Sequence, residues 1–386
     1  MLLITTDYPH FLREFYGADP ELPRSSYAEQ MRRRNETLFA NADFYSKSLT
    51  AAGAVAADIY MNNETLQRRW ASENGMHLAP PREGWIGRAK RLILQRPPSP
   101  PADDWVFPIL ARQIDAFRPD VIVNEDMHFI RPEVLDRIRG SARLLVWHTN
   151  SARNAQIDYG RYDLVLTAFP NYVRDLSAEG VRCRLSRLCF EPAVLDELGA
   201  GERTVPVSFV GSLSPYHADS RRWLEHLCRE RDIAVWGPDV SSLPADSPIR
   251  RCYRGRAWGR QMLKIFCESE IVLNHELPIS HPFGANMRFY EATGCGALLL
   301  TDRRDVSGMF EPEREIAFYD DAAHCVARID ELLADAPRRQ RIAEAGRDRT
   351  LREHTYAARA KEMIGYFEQA LGDRTKAQPQ LERRVS

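Results

Sequence analysis

Short runs of apolar residues recur along the chain, separated by longer stretches in which apolar residues have helical spacing. The runs cover residues 2–6, 121–124, 144–148 and 164–167, and then 207–211, 233–236, 271–274 and 297–301. They lack the strict alternation of a half-exposed strand, so we interpret them as strands buried on both faces and joined by helices. This pattern predicts an α/β fold of two Rossmann-like units, each built on a parallel sheet.

A linker is predicted near residues 193–204, where the sequence LDELGAGERT is short, polar and rich in glycine. We therefore expect a first domain over residues 1–195 and a second domain over residues 204–354. The end of the chain has three helical patterns with no strand between them, and the last of these is predicted to cover residues 355–372. Residues 373–386 are predicted to form a flexible tail.

Composition and charge exclude several classes of protein. The 386 residues include 53 Lys+Arg and 54 Asp+Glu, and this formal net charge of -1 gives no excess positive charge to gather nucleic acid. The 7 cysteines have no spacing typical of a zinc site, so we expect reduced thiols. No run of about 18 uncharged apolar residues predicts a membrane span, and the start lacks a secretory signal, so we expect a cytoplasmic protein.

The most informative chemistry lies in residues 274–302, NHELPISHPFGANMRFYEATGCGALLLTD. This segment leaves a predicted strand, passes through a loop with His281 and enters a helix near Asn286. A helix start at the carboxyl edge of a parallel sheet presents backbone N–H groups to phosphate. We expect Asn286 to cap the helix, Arg288 to contact phosphate and Glu291 to accept hydrogen bonds from a ribose diol. The alternative is an ordinary surface pair of Arg288 and Glu291, worth roughly a few tenths of a kcal/mol.

A second loop supports the same interpretation. The sequence SFVGS ends a predicted strand with Gly211 and Ser212, ahead of a predicted helix. Glycine at a strand end permits close backbone approach to a diphosphate, and the hydroxyl can donate to it. A departing diphosphate gains charge and needs fixed donors, for which Arg221 and Arg254 are further candidates. Such turns are common in α/β proteins, so this loop counts only beside the segment around Asn286.

A resemblance to the carboxyl-terminal domain of GT-B fold glycosyltransferases is carried by FVGSLSPYHADSRRWLEHL, NMRFYEATGCGALLLTD and RTLREHTYAARAKEMI. The group-1 type domain of CgeB-like proteins is the most similar. The amino-terminal half of CgeB-like enzymes is similar to DYPHFLREFY, VIVNEDMHFI and YDLVLTAFPNYVRDLSAEGVRC. The resemblance implies a nucleotide-sugar donor held by the second domain, an acceptor on the first domain and chemistry in the cleft between them. It also implies that the last helix crosses back to pack on the first domain.

One position departs from the pattern of that family. Retaining group-1 enzymes usually carry a glutamate eight residues before the one that Glu291 matches, and here Phe283 occupies that position. Contacts to sugar hydroxyls are then expected from His281 or Asn286, and the choice between inversion and retention stays open. GT-B enzymes are similar in usually lacking a metal, and no D-x-D pair ends a strand in this sequence. We therefore expect neither a metal nor another cofactor.

Acidic and histidine residues follow two strands of the first half. Asp7 and His10 come after the first strand, and Asp126 and His128 come after VIVN. An inverting enzyme needs a base to remove the acceptor proton. We rank Asp126 and His10 first as catalytic candidates, with Asp7 and His128 as their partners, and His148 as a weaker candidate for lining the cleft. Each Asp is about as well explained by a cap or turn, and each His by a hydrogen-bonded core position.

A basic segment at residues 84–96, GWIGRAKRLILQR, mixes Trp, Ile and Leu with Arg and Lys. A helix that contacts the inner face of a membrane weakly has this composition. We favour an ordinary surface helix that precedes the proline-dense connection QRPPSPPADD, residues 95–104.

The prediction from sequence is a metal-independent glycosyltransferase that moves a sugar from a nucleoside-diphosphate sugar to a carbohydrate, lipid-linked or protein acceptor. Two alternatives stay open: a nucleotide-sugar epimerase of the same shape, and a non-catalytic module that binds nucleotide sugars or serves assembly. The sequence leaves the sugar, the base, the acceptor and the oligomeric state undecided.

Overall fold

The computed structural model describes residues 1–78, 105–125, 130, 132–149, 153, 157–199, 201–212, 218–237, 240–241, 243–278, 281–284 and 286–385, without the side chains of 132–133, 149, 218 and 374–385. Within these ranges twelve strands form two sheets of six strands each. All the neighbouring strands pair in parallel.

The first sheet takes its strands from the first half of the chain. They are β1 (Leu2–Thr5), β2 (Ala57–Tyr60), β3 (Val121–Asn124), β4 (Leu144–Thr149), β5 (Leu164–Thr167) and β6 (Cys183–Leu185), in the order β2-β1-β3-β4-β5-β6. The second sheet consists of β7 (Val205–Val210), β8 (Ala234–Trp236), β9 (Tyr253–Gly255), β10 (Ser269–Leu273), β11 (Leu298–Asp302) and β12 (Ala317–Tyr319), in the order β12-β11-β10-β7-β8-β9.

Helices connect these strands. Those of the first half are α1 (Pro9–Ala18), α2 (Tyr27–Asn35), α3 (Phe44–Ala51), α4 (Glu64–Glu73), α5 (Val106–Phe117), α6 (Pro132–Arg139), α7 (Pro170–Ala178) and α8 (Ala193–Leu198). Those of the second half are α9 (Ala218–Glu230), α10 (Ile249–Cys252), α11 (Gly259–Glu268), α12 (Arg288–Gly294), α13 (Ala322–Ala334), α14 (Ala336–Glu353) and α15 (Tyr356–Val385).

The eight strands expected from the apolar runs are all present, which confirms the predicted parallel α/β architecture. Their central strands are buried along their length, as in β3, β5 and β11. Four further strands, β2, β6, β9 and β12, were not predicted, and they are the two edge strands of each sheet. The last strand of the first sheet ends at Leu185 and the first strand of the second sheet begins at Val205; the domain boundaries at 195 and 204 stay a prediction.

The two sheets are joined by close packing of α11 against residues 37–39. A Cβ atom on Gly259 would lie 2.2 Å from the carbonyl oxygen of Thr37, and Gly259 has a φ of +44°, so glycine is required there. The backbone N–H of Arg260 donates to the same oxygen at 2.8 Å. The rings of Phe39 and Trp258 meet edge to face with centroids 5.7 Å apart. This contact fixes the loop after α2 against the second half.

The last helix, α15, returns to the first half and packs against α3 and β4. The hydroxyl of Tyr356 donates to Asn41 Oδ1 at 2.9 Å, and that of Tyr366 donates to the Leu185 carbonyl at 3.3 Å. The helix continues to Val385, beyond the predicted end at residue 372, although Gly372 and Pro379 within this stretch disfavour helix. The flexibility of residues 373–386 stays a prediction.

Two segments singled out in the sequence, residues 84–96 and 95–104, lie outside the described residues. The predicted membrane contact of the first therefore stays a prediction. Among the helices that the structure describes, none combines the length and apolar character that crossing a bilayer requires.

Candidate active site

A cleft lies where the carboxyl ends of the strands of both sheets meet. It encloses a cavity of about 380 Å³. From the first half the cavity is lined by Asn41, Phe169 and Leu188. From the second half it is lined by Phe209, Val210, Gly211, Ser212, Ser220, Leu273, Asn274, His275, Glu276, Leu277, Asn286, Met287, Arg288 and Glu291. Five residues predicted to bind nucleotide, Gly211, Ser212, Asn286, Arg288 and Glu291, are therefore brought together.

The turn after β7 presents Gly211 and Ser212 to this cavity. Gly211 continues the sheet pairing, since its N–H donates to the Trp236 carbonyl at 3.1 Å. A Cβ atom on Gly211 would lie 2.8 Å from Cζ of Phe209, whose ring also lines the cavity. The ring of Phe209 and a side chain at position 211 would thus compete for the same space. Glycine leaves the backbone of the turn open to a ligand, and Ser212 is exposed beside it.

The loop between β10 and α12 is held by hydrogen bonds that converge on Asn286. Its backbone N–H donates to Glu276 Oε1 at 2.8 Å, and its side-chain amide donates to Asn274 Oδ1 at 2.9 Å. Its Oδ1 accepts from the N–H of Arg288, the first residue of α12, at 3.0 Å. The N-cap itself is Met287 rather than the predicted Asn286, which lies one residue earlier and bonds the start of the helix from there. The backbone N–H, the side-chain nitrogen and the side-chain oxygen of Asn286 therefore all help to hold the loop in shape.

Arg288 and Glu291 form an ion pair within α12. Arg288 Nη1 lies 2.6 Å from Glu291 Oε2, and the two side chains are only 15% and 14% exposed. Arg288 Nη2 also donates to the Val210 carbonyl at 2.8 Å, and its guanidinium stacks on Phe266 at 4.3 Å from the ring centroid. Arg288 thus joins α12 to the end of β7. The ion pair expected at the surface is present but buried. Two nitrogens of the Arg288 guanidinium are bonded within the protein, to Glu291 and to the Val210 carbonyl, rather than directed at a phosphate.

Burial sets the electrostatics of this pair. It raises the pKa of Glu291, with the charge of Arg288 opposing that rise, and it lowers the pKa of Arg288, with Glu291 opposing. Each charge therefore depends on the other in a site that excludes much of the water. Glu291 Oε2 is bonded to Arg288, but a carboxylate has acceptor capacity on both oxygens, so Glu291 can still accept hydrogen bonds from a ligand.

Three residues predicted to bind nucleotide do not line this cavity. Arg254 lies on the edge strand β9, exposed, with its guanidinium 3.0 Å from Asp232. Arg221 lies on α9, partly buried, with a buried Nε that has no partner among the described residues. His281 is exposed and lines a neighbouring cavity of about 450 Å³, which shares His275 with the cleft.

The catalytic candidates of the first half are placed differently from one another. Asp7 lies in the loop after β1, buried, with its Oδ1 2.5 Å from Nη2 of Arg34. His10 is not in that loop, as the sequence suggested, but in the first turn of α1, because Pro9 begins the helix there. It is exposed, with Nδ1 2.5 Å from Arg13 Nη2. Asp126 and His128 lie outside the described residues.

A carboxylate and histidine pair lies beneath the wall of the first half. Glu125 Oε1 is 3.0 Å from Nδ1 of His148, whose Nε2 is buried and has no partner among the described residues. The imidazole meets the ring of Tyr45 edge to face at 5.2 Å, and Tyr45 in turn contacts Tyr356 at 4.7 Å. Tyr356 bonds Asn41 in the wall of the cleft. A carboxylate that holds Nδ1–H leaves the lone pair on Nε2.

Sequence reasoning missed five polar residues of the cleft: Asn41, Ser220, Asn274, His275 and Glu276. Glu276 is 4% exposed, and its N–H donates to Asp302 Oδ1 at 2.9 Å. Its position two residues after Asn274 in the loop that leaves β10 is the signal that would have found it. Within the ranges that the structure describes, no group of three or more His, Cys, Asp or Glu is placed to hold a metal ion.

Comparison with known proteins gives the following. Residues 217–365 match a family model described as Glycosyl transferase-like, and no curated protein matches the chain. A solved structure of AviGT4, a glycosyltransferase involved in avilamycin A biosynthesis, is 12% identical with a TM-score of 0.58, covering 96% of this chain and 98% of that one.

Two further solved structures share the architecture over nearly the whole chain. Sucrose-phosphate synthase from Thermosynechococcus elongatus is 14% identical with a TM-score of 0.52, covering 96% of this chain and 99% of that one. Anabaena Alr3699/HepE in complex with UDP and glucose is 12% identical with a TM-score of 0.55, covering 95% of this chain and 98% of that one. This chain therefore has the GT-B fold predicted from its sequence, and its second half matches a glycosyl transferase-like family.

Proposed function

We propose that the protein is a CgeB-like glycosyltransferase, in which the second half holds a nucleoside-diphosphate sugar and the first half holds the acceptor. The observation that carries the proposal is the cleft: five residues expected to bind nucleotide line one cavity together with residues of the other sheet. The match of residues 217–365 to a glycosyl transferase-like family supports it. So does the fold shared with a protein solved with UDP and glucose.

The diphosphate is assigned to the turn at Gly211 and Ser212. Backbone there can approach the ligand closely, and a hydroxyl donor is at hand for the charge that builds up on the leaving group. Glu291, one turn into α12, is assigned to the ribose hydroxyls. Arg288 is assigned a positioning role, since it donates hydrogen bonds to Glu291 and to the Val210 carbonyl just before the turn.

Glu276 is assigned to the donor sugar. The family pattern expects a carboxylate eight residues before Glu291, and this chain has Phe283 there. Glu276 brings a buried carboxylate to the same cavity, with its backbone anchored to Asp302 and its Oε1 anchored to Asn286. A carboxylate held by fixed donors is oriented to accept from sugar hydroxyls without reorganisation. His281, the earlier candidate, faces the neighbouring cavity instead.

For an inverting reaction, the Glu125–His148 pair joins Asp126, His10 and His128 as the proposed source of a base. Its support is the carboxylate on Nδ1 and the lone pair that this leaves on Nε2. Asp7 is a weaker proposal because its carboxylate already serves Arg34 in a buried ion pair.

Thermal unfolding with UDP, GDP, TDP, CDP and ADP tests the donor site. A ligand that binds only the folded state at a hundred times its Kd stabilises by about 2.7 kcal/mol. We expect at least one nucleotide to raise the Tm of the wild type and of Glu21→Gln, an exposed control, and much less that of Glu291→Gln. Stabilisation by none of the five in a folded sample would contradict the proposal. Repeating the series with EDTA tests the expected independence from metal.

Incubation with the stabilising donor separates transfer from the alternatives. A glycosyltransferase leaves the donor sugar unchanged except for slow hydrolysis and transfers it when an acceptor is present. An epimerase converts the sugar without acceptor, and a binding module does neither. Glu276→Gln is expected to reduce turnover more than nucleotide affinity, since Glu276 is assigned to the sugar. An equal loss in both would remove that assignment.

A further inference from the structure

A second large cavity lies at the opposite edge of the second sheet from the cleft. It measures about 890 Å³ and is lined by residues at the amino ends of the strands, among them Arg203 before β7 and Glu270 in β10. Cys267, Cys295 and Arg347 also line it. Two thiols and three guanidinium groups, those of Arg203, Arg339 and Arg347, therefore share one cavity that the proposed transfer reaction does not use.

The two thiols come from helices that pack against each other. Cys267 is the second-last residue of α11, and Cys295 follows the last residue of α12. Leu263 lies one turn before Cys267 in α11, so the contact of Cys295 with Leu263 brings the two thiols near one another. Cys267 is partly exposed, whereas Cys295 is 6% exposed and has its sulfur 3.6 Å from the Leu263 carbonyl oxygen. One thiol is therefore open to a reagent, and the other stands directly behind it.

The surroundings of Cys267 favour its thiolate. The neighbouring Cys295 thiol and the charges of Arg203 and Arg347 lower the pKa of Cys267, against the opposing effects of burial and of the Glu268 charge. Arg203 is held in place because its guanidinium donates to the carbonyl oxygens of Ser269 and Gly296. The thiolate is the reactive form of cysteine, so a low pKa combined with access marks a reactive thiol.

A second pair of cysteines in the same half provides a natural contrast. Cys228 in α9 and Cys252 at the end of α10 also come from two helices that pack against each other. Both side chains are 0% exposed and belong to the hydrophobic core between the second sheet and its helices. Burial raises the pKa of Cys228. This pair therefore also comes from neighbouring helices, but neither thiol is accessible, and Cys228 lacks thiolate character.

We propose that Cys267 is a peroxide-reactive thiol and that Cys295 is its resolving partner in a reversible disulfide. The thiolate of Cys267 attacks one oxygen of hydrogen peroxide, so that an S–O bond forms, the O–O bond breaks and the released hydroxide takes up a proton as water. The thiol of Cys295 then attacks that sulfur, the S–S bond forms, and a second water leaves with the thiol proton. Two thiols are oxidised by two electrons and one peroxide is reduced.

The disulfide would tie the end of the helix that carries Arg288 and Glu291 to α11. The backbone N–H of Cys295 donates to the Glu291 carbonyl at 3.0 Å, so the modified residue is one turn from the cleft. A small thiol such as glutathione, attacking either sulfur, would restore the reduced pair. The modification site goes beyond the proposed function and does not depend on it.

Peptide mapping of the full-length protein tests the proposal directly. Trypsin places the four cysteines in separate peptides: residues 265–288 and 289–303 for one pair, 223–229 and 252–254 for the other. After graded hydrogen peroxide and blocking of free thiols, we expect the first two peptides to appear cross-linked, and to separate again on reduction. A cross-link confined to the second two peptides, or oxidation of Cys267 without any cross-link, would overturn the proposal.

Alkylation and two variants complete the test. In the unmodified protein, Cys267 should react with a maleimide at least roughly ten times faster than Cys228, given its thiolate character and access. Cys295→Ser should leave a sulfenic acid on Cys267 that a dimedone probe traps, and Cys267→Ser should abolish the cross-link. Equal alkylation rates for Cys267 and Cys228 in the wild type would overturn the proposal without depending on any variant.

Discussion

The two walls of the cleft are built in different ways. The wall of the second sheet, here called the polar wall, is a hydrogen-bonded network centred on Asn286 and Arg288, which bond to Glu276, Asn274, Glu291 and the Val210 carbonyl. The wall of the first sheet consists of one amide, Asn41, with the apolar Phe169 and Leu188. Fixed dipoles and charges suit an anionic ligand whose charge changes during reaction, because they need no reorganisation. An apolar wall with one amide favours recognition by shape.

The largest expected effect comes from removing the cation that ties the polar wall together. Arg288→Met leaves the buried carboxylate of Glu291 and the Val210 carbonyl without a donor, which we expect to cost about 3–5 kcal/mol in the free energy of unfolding. Arg24 and Glu21 provide a matched control: the same 2.6 Å distance and three-residue spacing, but 77% and 74% exposed. Arg24→Met should cost less than about 1 kcal/mol. Similar losses in chemical denaturation of both variants would show that the polar wall is not specially buried.

The second prediction concerns His354, which packs against α12 and thereby supports the polar wall. Its carbonyl accepts from the N–H of Phe190 at 2.8 Å, and its ring lies edge to face with Tyr290 of α12 at 5.3 Å. Burial lowers the pKa of His354 to about 4. The imidazole takes up its proton below about pH 6.5 in the unfolded chain but only near pH 4 in the folded chain, so the contribution of His354 to stability falls by about 3 kcal/mol as pH drops through this window.

The measurement for His354 is urea unfolding at several pH values between 7 and 4. His354→Gln keeps an amide donor for the Met309 carbonyl, which lies 2.9 Å from Nε2 of His354. The variant should lose stability less steeply than the wild type over this range. Equal slopes would mean that the His354 ring is as accessible to protons in the folded chain as in the unfolded one.

Gly211→Ala should have a smaller effect, directed at the donor end of the polar wall. The added Cβ would lie 2.8 Å from Cζ of Phe209, and displacement of this ring is expected to cost about 1–3 kcal/mol. We expect most of that cost to appear as weaker nucleotide binding in calorimetry, since both groups line the cavity. Gly17→Ala is the control, because nothing lies within 4 Å of a Cβ there. Unchanged affinity in Gly211→Ala would place the diphosphate elsewhere.

The sequence was sufficient to predict the central strands of both sheets, but it did not predict their edge strands. Buried parallel strands need apolar residues at successive positions, and this produced recognisable runs in eight of the twelve strands. The four that were missed read ADIY, CRL, YRG and AFY. Three of them carry a charged residue, Asp58, Arg184 or Arg254, which interrupts the apolar run and which an edge strand with one neighbour tolerates.

The polar wall was predictable and the apolar wall was not, for a related reason. The residues of the polar wall lie just after predicted strands or in the helix that follows, and this succession of strand, loop and helix start is recognisable in the sequence for Gly211, Asn286 and Glu291. Phe169 and Leu188 look like any core residue until the fold places them in the cleft. Arg254 was misjudged because its strand, β9, was itself missed: the strand lies at the outer edge of the sheet and carries the side chain away from the cavity.

The smallest expected effect separates a structural role of Asn41 from a role in the cleft. Its Oδ1 accepts from the hydroxyl of Tyr356 at 2.9 Å, and the residue also lines the cavity. Tyr356→Phe removes that hydrogen bond and leaves the wall unchanged, so each of Tyr356→Phe and Asn41→Ala should lower the free energy of unfolding by about 1 kcal/mol. Only Asn41→Ala should then raise the KM for the acceptor while leaving nucleotide affinity intact. If both variants change acceptor kinetics alike, Asn41 acts through Tyr356 and the recognition in this wall is apolar throughout.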